Sequence, residues 1–255
     1  MYQRKLAVVL LHKKGSRAVS GNYRPVVTVQ VDVKVLSKLL TYRLQQLISN
    51  LIHLDQKDFV MGRSIRHHVL FLAELQDLVA GRDEEAYALF LDFENALDRV
   101  NWDYMFRVLE RMGFGSTFFR WIRLLYTEHR DHLVINQNIQ PAIFLTRGVK
   151  QGDPLSTLLC TLTIGPLGNP LRENEEYGLC LTADHTATGT FFADDSTTFL
   201  SRSVANLQDQ LRLVHDYCQG SRAKLNLVKS VLLALNRNHR CPLLPGMRFS
   251  VGRIR

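Results

Sequence analysis

The chain of 255 residues is short of cysteine, and its four, Cys160, Cys180, Cys218 and Cys241, stand 20, 38 and 23 residues apart. That spacing builds neither a disulfide framework nor a zinc site, and it points to a reducing compartment. A long apolar run is also missing. The longest stretch without charge, Pro154 to Leu171, holds three prolines, two glycines and four Ser/Thr, which does not suit a membrane span. The opening MYQRKLAVVLLHKKG has an apolar core of only six residues, followed by His12-Lys13-Lys14 where a cleavage site would need small side chains. It is therefore expected not to be a secretory leader. No segment is of low complexity and no internal repeat is found. The nine histidines show no ligand spacing, and the adjacent pair His67-His68 reads as ordinary surface. These absences lead us to expect an intracellular protein, nuclear or cytoplasmic, with no membrane partner.

Acid is absent from both ends. Residues 1–31 carry six Lys/Arg and residues 217–255 carry eight, with no Asp or Glu in either. All 24 acids fall in 32–216 beside the remaining 18 bases, so a chain of net charge +8 has a middle of −6. Basic flanks suit a polyanion held at the edges, and an acidic middle suits cations held at the centre. Lysines and arginines that merely solvate a surface would give the same count.

The periodicities predict alternating strands and helices. Lys5–Leu11 reads as a strand closed by a Lys-Lys-Gly turn, and Asn22–Val27 as extended chain limited by Pro25. A helix is predicted over 32–48, with Val35, Leu39, Tyr42, Leu44 and Leu47 as its core stripe and Lys34, Lys38 and Arg43 outward. A loop follows over 55–65, then a helix from 66 to 79 ended by Gly81. AYALFLDF (86–93) reads as a strand buried on both faces. Asn101 caps a helix carrying Met105, Val108, Leu109 and Met112, closed by Gly113. Another helix holds Phe118, Trp121, Ile122 and Leu125 as core. A hairpin is predicted over 132–148. Asp153-Pro154 opens a helix that should not run cleanly past Gly165-Pro166. A hairpin over 189–200, an amphipathic helix over 204–217 and a strand over 225–235 complete the pattern, and the tail from Asn236 has no convincing element. The order implies an α+β fold with an antiparallel sheet, not a doubly wound one.

Within that order, GTFFADDSTTFL (189–200) places Asp194 and Asp195 at the turn Ala193-Asp194-Asp195-Ser196, between Phe/Thr-rich strands. Asp is a common turn residue, so a solvated tip is one reading. A cation site is the other, and it needs a further carboxylate. Asp92, at the end of the apolar 86–93 strand, supplies it: a carboxylate there costs several kcal/mol unless cations or donors compensate it. If the two elements neighbour in one sheet, the carboxylates meet, and clustered carboxylates repel unless divalent cations sit between them. Two magnesium ions about 3.5–4 Å apart are the usual device for in-line phosphoryl displacement, with manganese as an alternative.

Six segments in order then resemble the reverse transcriptase domain of non-LTR (LINE-type) retrotransposons, over roughly residues 5 to 235. They are NYRPVVTVQVDVKVLSKLLTYRL, DQKDFVMGRSI, LDFENALDRV, RGVKQGDPLS, FFADD and AKLNLVKS. The resemblance implies the fingers and palm of a right-hand polymerase: fingers over 1–85, palm over 86–235 with a fingers hairpin inserted near 132–148, and an irregular, truncated tail over 236–255 with no thumb. It implies an RNA-directed DNA polymerase that takes an RNA template, a DNA primer and deoxynucleoside triphosphates. Asp92 and Asp194 would bind both metals, supported by Asp195 and by the Phe93 carbonyl. Amides around Glu94 and Asn95, and the guanidinium of Arg63, would touch the triphosphate, unless Arg63 anchors its own loop. Gln151 and Gly152 would lie against the incoming nucleotide. Lys229 would protonate the leaving pyrophosphate, unless it is an exposed strand lysine. Arg24, Lys13 and Lys14 would hold nucleic-acid backbone.

Departures from the family pattern carry expectations too. Leu97 stands where a Phe or Tyr usually excludes the ribose 2′-hydroxyl, so discrimination against ribonucleotides should be weaker. Asp58 replaces a Gly and should strain its loop. Gly165-Pro166 replaces Glu-Pro, and Asn136-Gln137 replaces an Asn-Gly turn, which should weaken that hairpin. A truncated, catalytically weak or inactive nucleic-acid-binding derivative of a retroelement is the alternative. The oligomeric state is not assigned.

Overall fold

The apolar run ending at Asp92 becomes the middle strand of a sheet, as a run buried on both faces should. The computed structural model describes residues 5–127, 130–174, 176–192, 195–201, 204–236, 238 and 248–251. Its first elements are β1 (Lys5–His12), β2 (Tyr23–Thr28), α1 (Val31–Gln45), α2 (Ile48–Leu51), α3 (Ile65–Gly81) and β3 (Ala86–Asp92). Next come α4 (Ala96–Arg99), α5 (Trp102–Arg111), α6 (Ser116–Tyr126), β4 (Arg130–Ile135), β5 (Asn138–Ile143) and α7 (Pro154–Glu173). The last are β6 (Leu179–Thr182), β7 (His185–Ala187), β8 (Gly189–Phe192), β9 (Asp195–Ser201), α8 (Val204–Ser221), β10 (Val231–Ala234) and β11 (Arg248–Val251). They form two compact units, one of residues 1–47 and 97–162, the other of 48–96 and 163–255. The units interleave segments from either side of the 85/86 boundary read from the sequence. Among the described residues, no helix is long and apolar enough to cross a membrane.

The first unit holds a four-stranded sheet in the order β2-β1-β4-β5. β1 runs antiparallel to β2 and parallel to β4. The β4–β5 hairpin turns at Asn136 (φ 50°) and Gln137 (φ 65°). A two-residue hairpin loop of this hand needs positive φ at both positions, and neither is glycine, which is the physical basis for the expected weakness. Asn101 caps α5 by accepting from the Tyr104 amide at 2.9 Å, and Met105, Val108 and Leu109 are buried beneath it. In α6 Ile122, Leu125 and Tyr126 are buried, whereas Trp121, read as core, is 41% exposed.

The stripe predicted for α1 holds at Leu44, with Lys34, Lys38 and Arg43 outward, and fails at Val35, Leu39 and Tyr42. Ser37, Leu40 and Leu44 are buried, and Val35, Leu39 and Tyr42 are more than half exposed. Apolar side chains at i, i+4 and i+7 mark a face but do not say what covers it, and this helix has apolar residues on two sides. Leu47, read as part of the same stripe, lies beyond the end of α1 and is exposed as well.

The second unit is built on a five-stranded sheet in the order β11-β10-β3-β9-β8. On one face Tyr87, Leu89, Leu91 and Phe93 pack with Ile164, Leu167 and Leu171 of α7 and Leu207 and Val214 of α8. On the other, Ala86, Ala88, Phe199 and Leu233 pack with Leu72, Leu75 and Val79 of α3. Five expectations are corrected here. α7 runs through Pro166 and Pro170 to Glu173. Each interior proline costs about 3 kcal/mol, and burial of Ile164, Leu167 and Leu171 at about 1.5–3 kcal/mol each offsets that. The strand expected over 225–235 is reduced to β10, because residues 227–229 turn. The tail contributes β11, parallel to β10. His68, read as surface, is buried, with Nδ1 3.0 Å from Thr190 Oγ1. The loop strain expected at Asp58 falls instead on its neighbour Phe59, at φ 53°.

Candidate active site

The register of β3 against β9 sets Asp92 opposite Asp195. Directly opposed residues in an antiparallel pair send their side chains to the same face with Cα atoms about 5 Å apart, and like charges so placed repel. β8 extends the row by pairing Phe192 with Asp195. Of the four residues expected in the turn, Asp195 and Ser196 belong to β9, and Ala193 and Asp194 lie outside the described residues. Asp92 is half-buried and Asp195 exposed.

A second segment grips β3 from the other side. The Asp92 amide donates to Ser230 Oγ at 3.2 Å, and the Asp92 carbonyl accepts from the Asn226 amide at 2.8 Å. The Glu94 amide donates to the Lys224 carbonyl at 2.8 Å, while the Glu94 carboxylate lies 3.0 Å from the Lys224 ammonium. In this bridge Phe93 faces Leu225 as the non-hydrogen-bonded pair, so the carbonyl of Phe93 points away from the Leu225 segment. Val231 pairs with Phe90, which brings the turn holding Lys229 to the Asp92 end of β3. Lys229 is exposed on that turn, not in a strand. Asn95 follows at φ 47°, exposed. Arg63 Nη1 donates to the His53 and Gln56 carbonyls at 2.7 and 2.6 Å, so this guanidinium does anchor its loop, through carbonyls rather than an ion pair.

The remaining candidates belong to the first unit. The Leu97 carbonyl accepts from the Val149 amide at 2.8 Å, and the Val100 carbonyl from the Gly148 amide at 2.8 Å. The Gln151 carbonyl accepts from the Val27 amide at 3.0 Å, and Gly152 turns at φ 102° against the Val27 carbonyl. Gln151 Nε2 donates to Asp98 Oδ1 at 2.6 Å. Burial pushes the Asp98 carboxyl up, opposed by the Gln151 hydrogen bond and by the charges of Lys13 and Arg24. Lys13, Lys14 and Arg24 are all exposed. Below this turn Lys150 is buried, donating from Nζ to the Leu125 carbonyl, 5.3 Å from the centre of the Tyr126 ring.

Carboxylates opposed across the middle strands of a sheet, in a chain that also carries a glycine-containing turn motif, have a family to which they can be compared. Residues 11–243 match the family described as reverse transcriptase (RNA-dependent DNA polymerase). The chain belongs to the reverse transcriptase family. It is 29% identical over 227 residues to a transposon TX1 protein of 149 kDa from Xenopus laevis, covering 89% of this chain and 17% of that protein. It is 24% identical over 234 residues to a retrovirus-related Pol polyprotein from the type-1 retrotransposable element R2 of Popillia japonica, covering 90% of this chain and 32% of that one. A further R2 polyprotein, from Nasonia vitripennis, is 23% identical over 79% of this chain and 20% of its own length. The reverse transcriptase chain thus spans between about a sixth and a third of these relatives. In fold it is similar to telomerase from Candida albicans in complex with a fragment of telomeric RNA, with a TM-score of 0.61 at 12% identity over 90% of this chain and 42% of that one. Apo telomerase from Candida tropicalis truncated from its C-terminal domain gives a TM-score of 0.59 at 12% identity over 91% of this chain and 50% of that one.

Reverse transcriptase domains use divalent metal ions and engage a nucleic-acid template and primer. The donor set fits such an ion: Asp92 and Asp195 offer hard carboxylate oxygens from opposed positions on one face, the donor type that magnesium takes in small number. Among the described residues no group of three His, Cys, Asp or Glu is gathered, and the third expected carboxylate, Asp194, lies outside them. Sequence reasoning gave no role to three residues, Ser230 of the second unit and Asp98 and Lys150 of the first. Ser230 and Asp98 sit inside quoted motifs, but their partners are 138 and 53 residues away. Lys150 likewise sits inside a quoted motif, and the carbonyl it donates to, that of Leu125, is 25 residues away.

Proposed function

We propose that the chain is the polymerising domain of an RNA-directed DNA polymerase, adding deoxynucleotides to a primer 3′-hydroxyl on an RNA template. The observation that carries this is the register of Asp92 against Asp195 at the end of the central strands, Asp195 following Asp194 directly in sequence. The five-stranded unit serves as palm, and the four-stranded unit supplies the fingers sheet. Two magnesium ions, when bound, activate the attacking hydroxyl and stabilise the leaving pyrophosphate. Asp92 and Asp194 hold them, with Asp195 and the Phe93 carbonyl in support. The amide of Glu94 is taken by Lys224, which leaves Asn95 for the triphosphate. Arg63 reaches the triphosphate through nitrogens other than Nη1, and Lys229 gives its proton to the leaving pyrophosphate. Leu97, Gln151 and Gly152 lie against the incoming nucleotide, and Lys13, Lys14 and Arg24 hold phosphate backbone, where a salt-dependent contribution is expected.

Primer extension tests the reading. With an RNA template, an annealed DNA primer, magnesium and deoxynucleotides, extension is expected from the natural chain and not from Asp92→Asn or Asp194→Asn. Extension that survives both substitutions would overturn the site. No extension from the natural chain, with salt-sensitive RNA binding retained, would leave a nucleic-acid-binding derivative without polymerase activity.

A further inference from the structure

Resting on that reading, we infer that Asp98 is a positioning residue for nucleotide selection: it fixes the orientation of the Gln151 side-chain amide and ties it to Leu97. Nothing in the motif comparison assigns Asp98 a role. A carboxylate can only accept, so it selects the NH2 end of an amide that would otherwise sit either way round. Gln151 Nε2 therefore faces Asp98, at 2.6 Å, and its oxygen is turned to the opposite side as an acceptor. Such a charge-assisted bond is stronger than a neutral one. The amide's orientation is thus set before a nucleotide arrives.

The backbone makes this clamp rigid. Residues 97–102 and 147–151 are laced together by Val149 to Leu97, by Gly148 to Val100 and by the Trp102 indole N–H to the Gly148 carbonyl, each at 2.8 Å. Gly148, at φ 92°, packs so closely on Asp98 that a Cβ there would stand 2.9 Å from the Asp98 carbonyl. The residue proposed to face the sugar 2′ position, Leu97, precedes Asp98 directly. One short segment therefore carries both the steric gate and the group that aims Gln151. Burial pushes the Asp98 carboxyl up, and the Gln151 hydrogen bond, then the charges of Lys13 and Arg24, oppose that shift and favour the accepting carboxylate.

A double-mutant cycle over Asp98 and Gln151 tests this, read in the deoxynucleotide KM and kcat and, independently of activity, in the side-chain amide resonance of Gln151 in 15N-labelled protein. Asp98→Ala is expected to raise KM about five- to tenfold with a smaller change in kcat. It should also shift the Gln151 amide resonance. Asp98→Asn, which retains an acceptor, should restore most of both. In a Gln151→Ala background, Asp98→Ala should add nothing. An equal loss from Asp98→Ala in that background, or a Gln151 resonance unmoved by it, would overturn the inference and leave Asp98 as a packing residue. A natural chain that extends no primer would sink the polymerase reading alone, because the amide resonance would still report whether Asp98 holds Gln151.

Discussion

Lys150 is an ammonium built into an interior, and its titration should be measurable as stability. Its Nζ donates to the Leu125 carbonyl at the end of α6, and only 9% of the residue is exposed. Burial lowers its pKa from 10.5 to about 8, with the carboxylates of Asp153 and Asp131 pulling the other way. An unfolded chain keeps the proton up to about 10.5, so between the two values the unfolded state binds more protons and stability must rise with pH. The difference in proton affinity, at 1.36 kcal/mol per tenfold, corresponds to about 3 kcal/mol in full. Between pH 7 and pH 10 about 2.5 kcal/mol of it should appear. The control is Lys150→Met, which keeps the length of the side chain and removes the titration. Urea unfolding followed by tryptophan fluorescence suits the measurement, because both tryptophans, Trp102 and Trp121, lie in the unit that holds Lys150. The stability of the natural chain minus that of Lys150→Met should climb across this range. A difference that stays flat, or that falls, would refute the claim that the ammonium is desolvated at a net cost.

Two other predictions concern the gate and α1, where part of the expected core stripe is exposed. Leu97→Phe should lower ribonucleotide incorporation relative to the natural chain in primer extension with mixed nucleotides; equal incorporation would remove Leu97 from the sugar's neighbourhood. Leu40→Ala should cost about 2–5 kcal/mol of unfolding free energy, whereas Val35→Ala, on the exposed side of α1, should stay within about 0.5 kcal/mol. Comparable losses in urea would mean that Val35 is covered in solution.

Much of the site was legible because the chemistry imposes residue types at short spacing. A carboxylate closing an apolar run, a second pair of carboxylates between two Phe/Thr-rich strands and a glycine-containing turn are all local, and the register of β3 with β9 joined Asp92 to Asp195 as those patterns implied. What was misread shares one cause. The stripe on α1, the end of α7 and the burial of His68 each depend on what packs against the element. α1 carries apolar residues on two sides, so periodicity alone could not choose between Leu40 and Val35. The two prolines of α7 signal a stop that burial of Ile164, Leu167 and Leu171 overrides. A histidine reads as surface until the Thr190 hydroxyl of a strand 122 residues away meets it.

The sequence by itself determined the fold class, most of the strands and helices, and the family, because each is written in local pattern and in motif order. Only the tertiary structure decided which side of α1 is buried, that Lys224, Asn226 and Ser230 grip the strand behind Asp92, and that Asp98 aims Gln151. Those choices belong to pairs of residues far apart in the chain, and the hydrogen bond or buried contact that fixes each of them does not exist until both partners have been brought together.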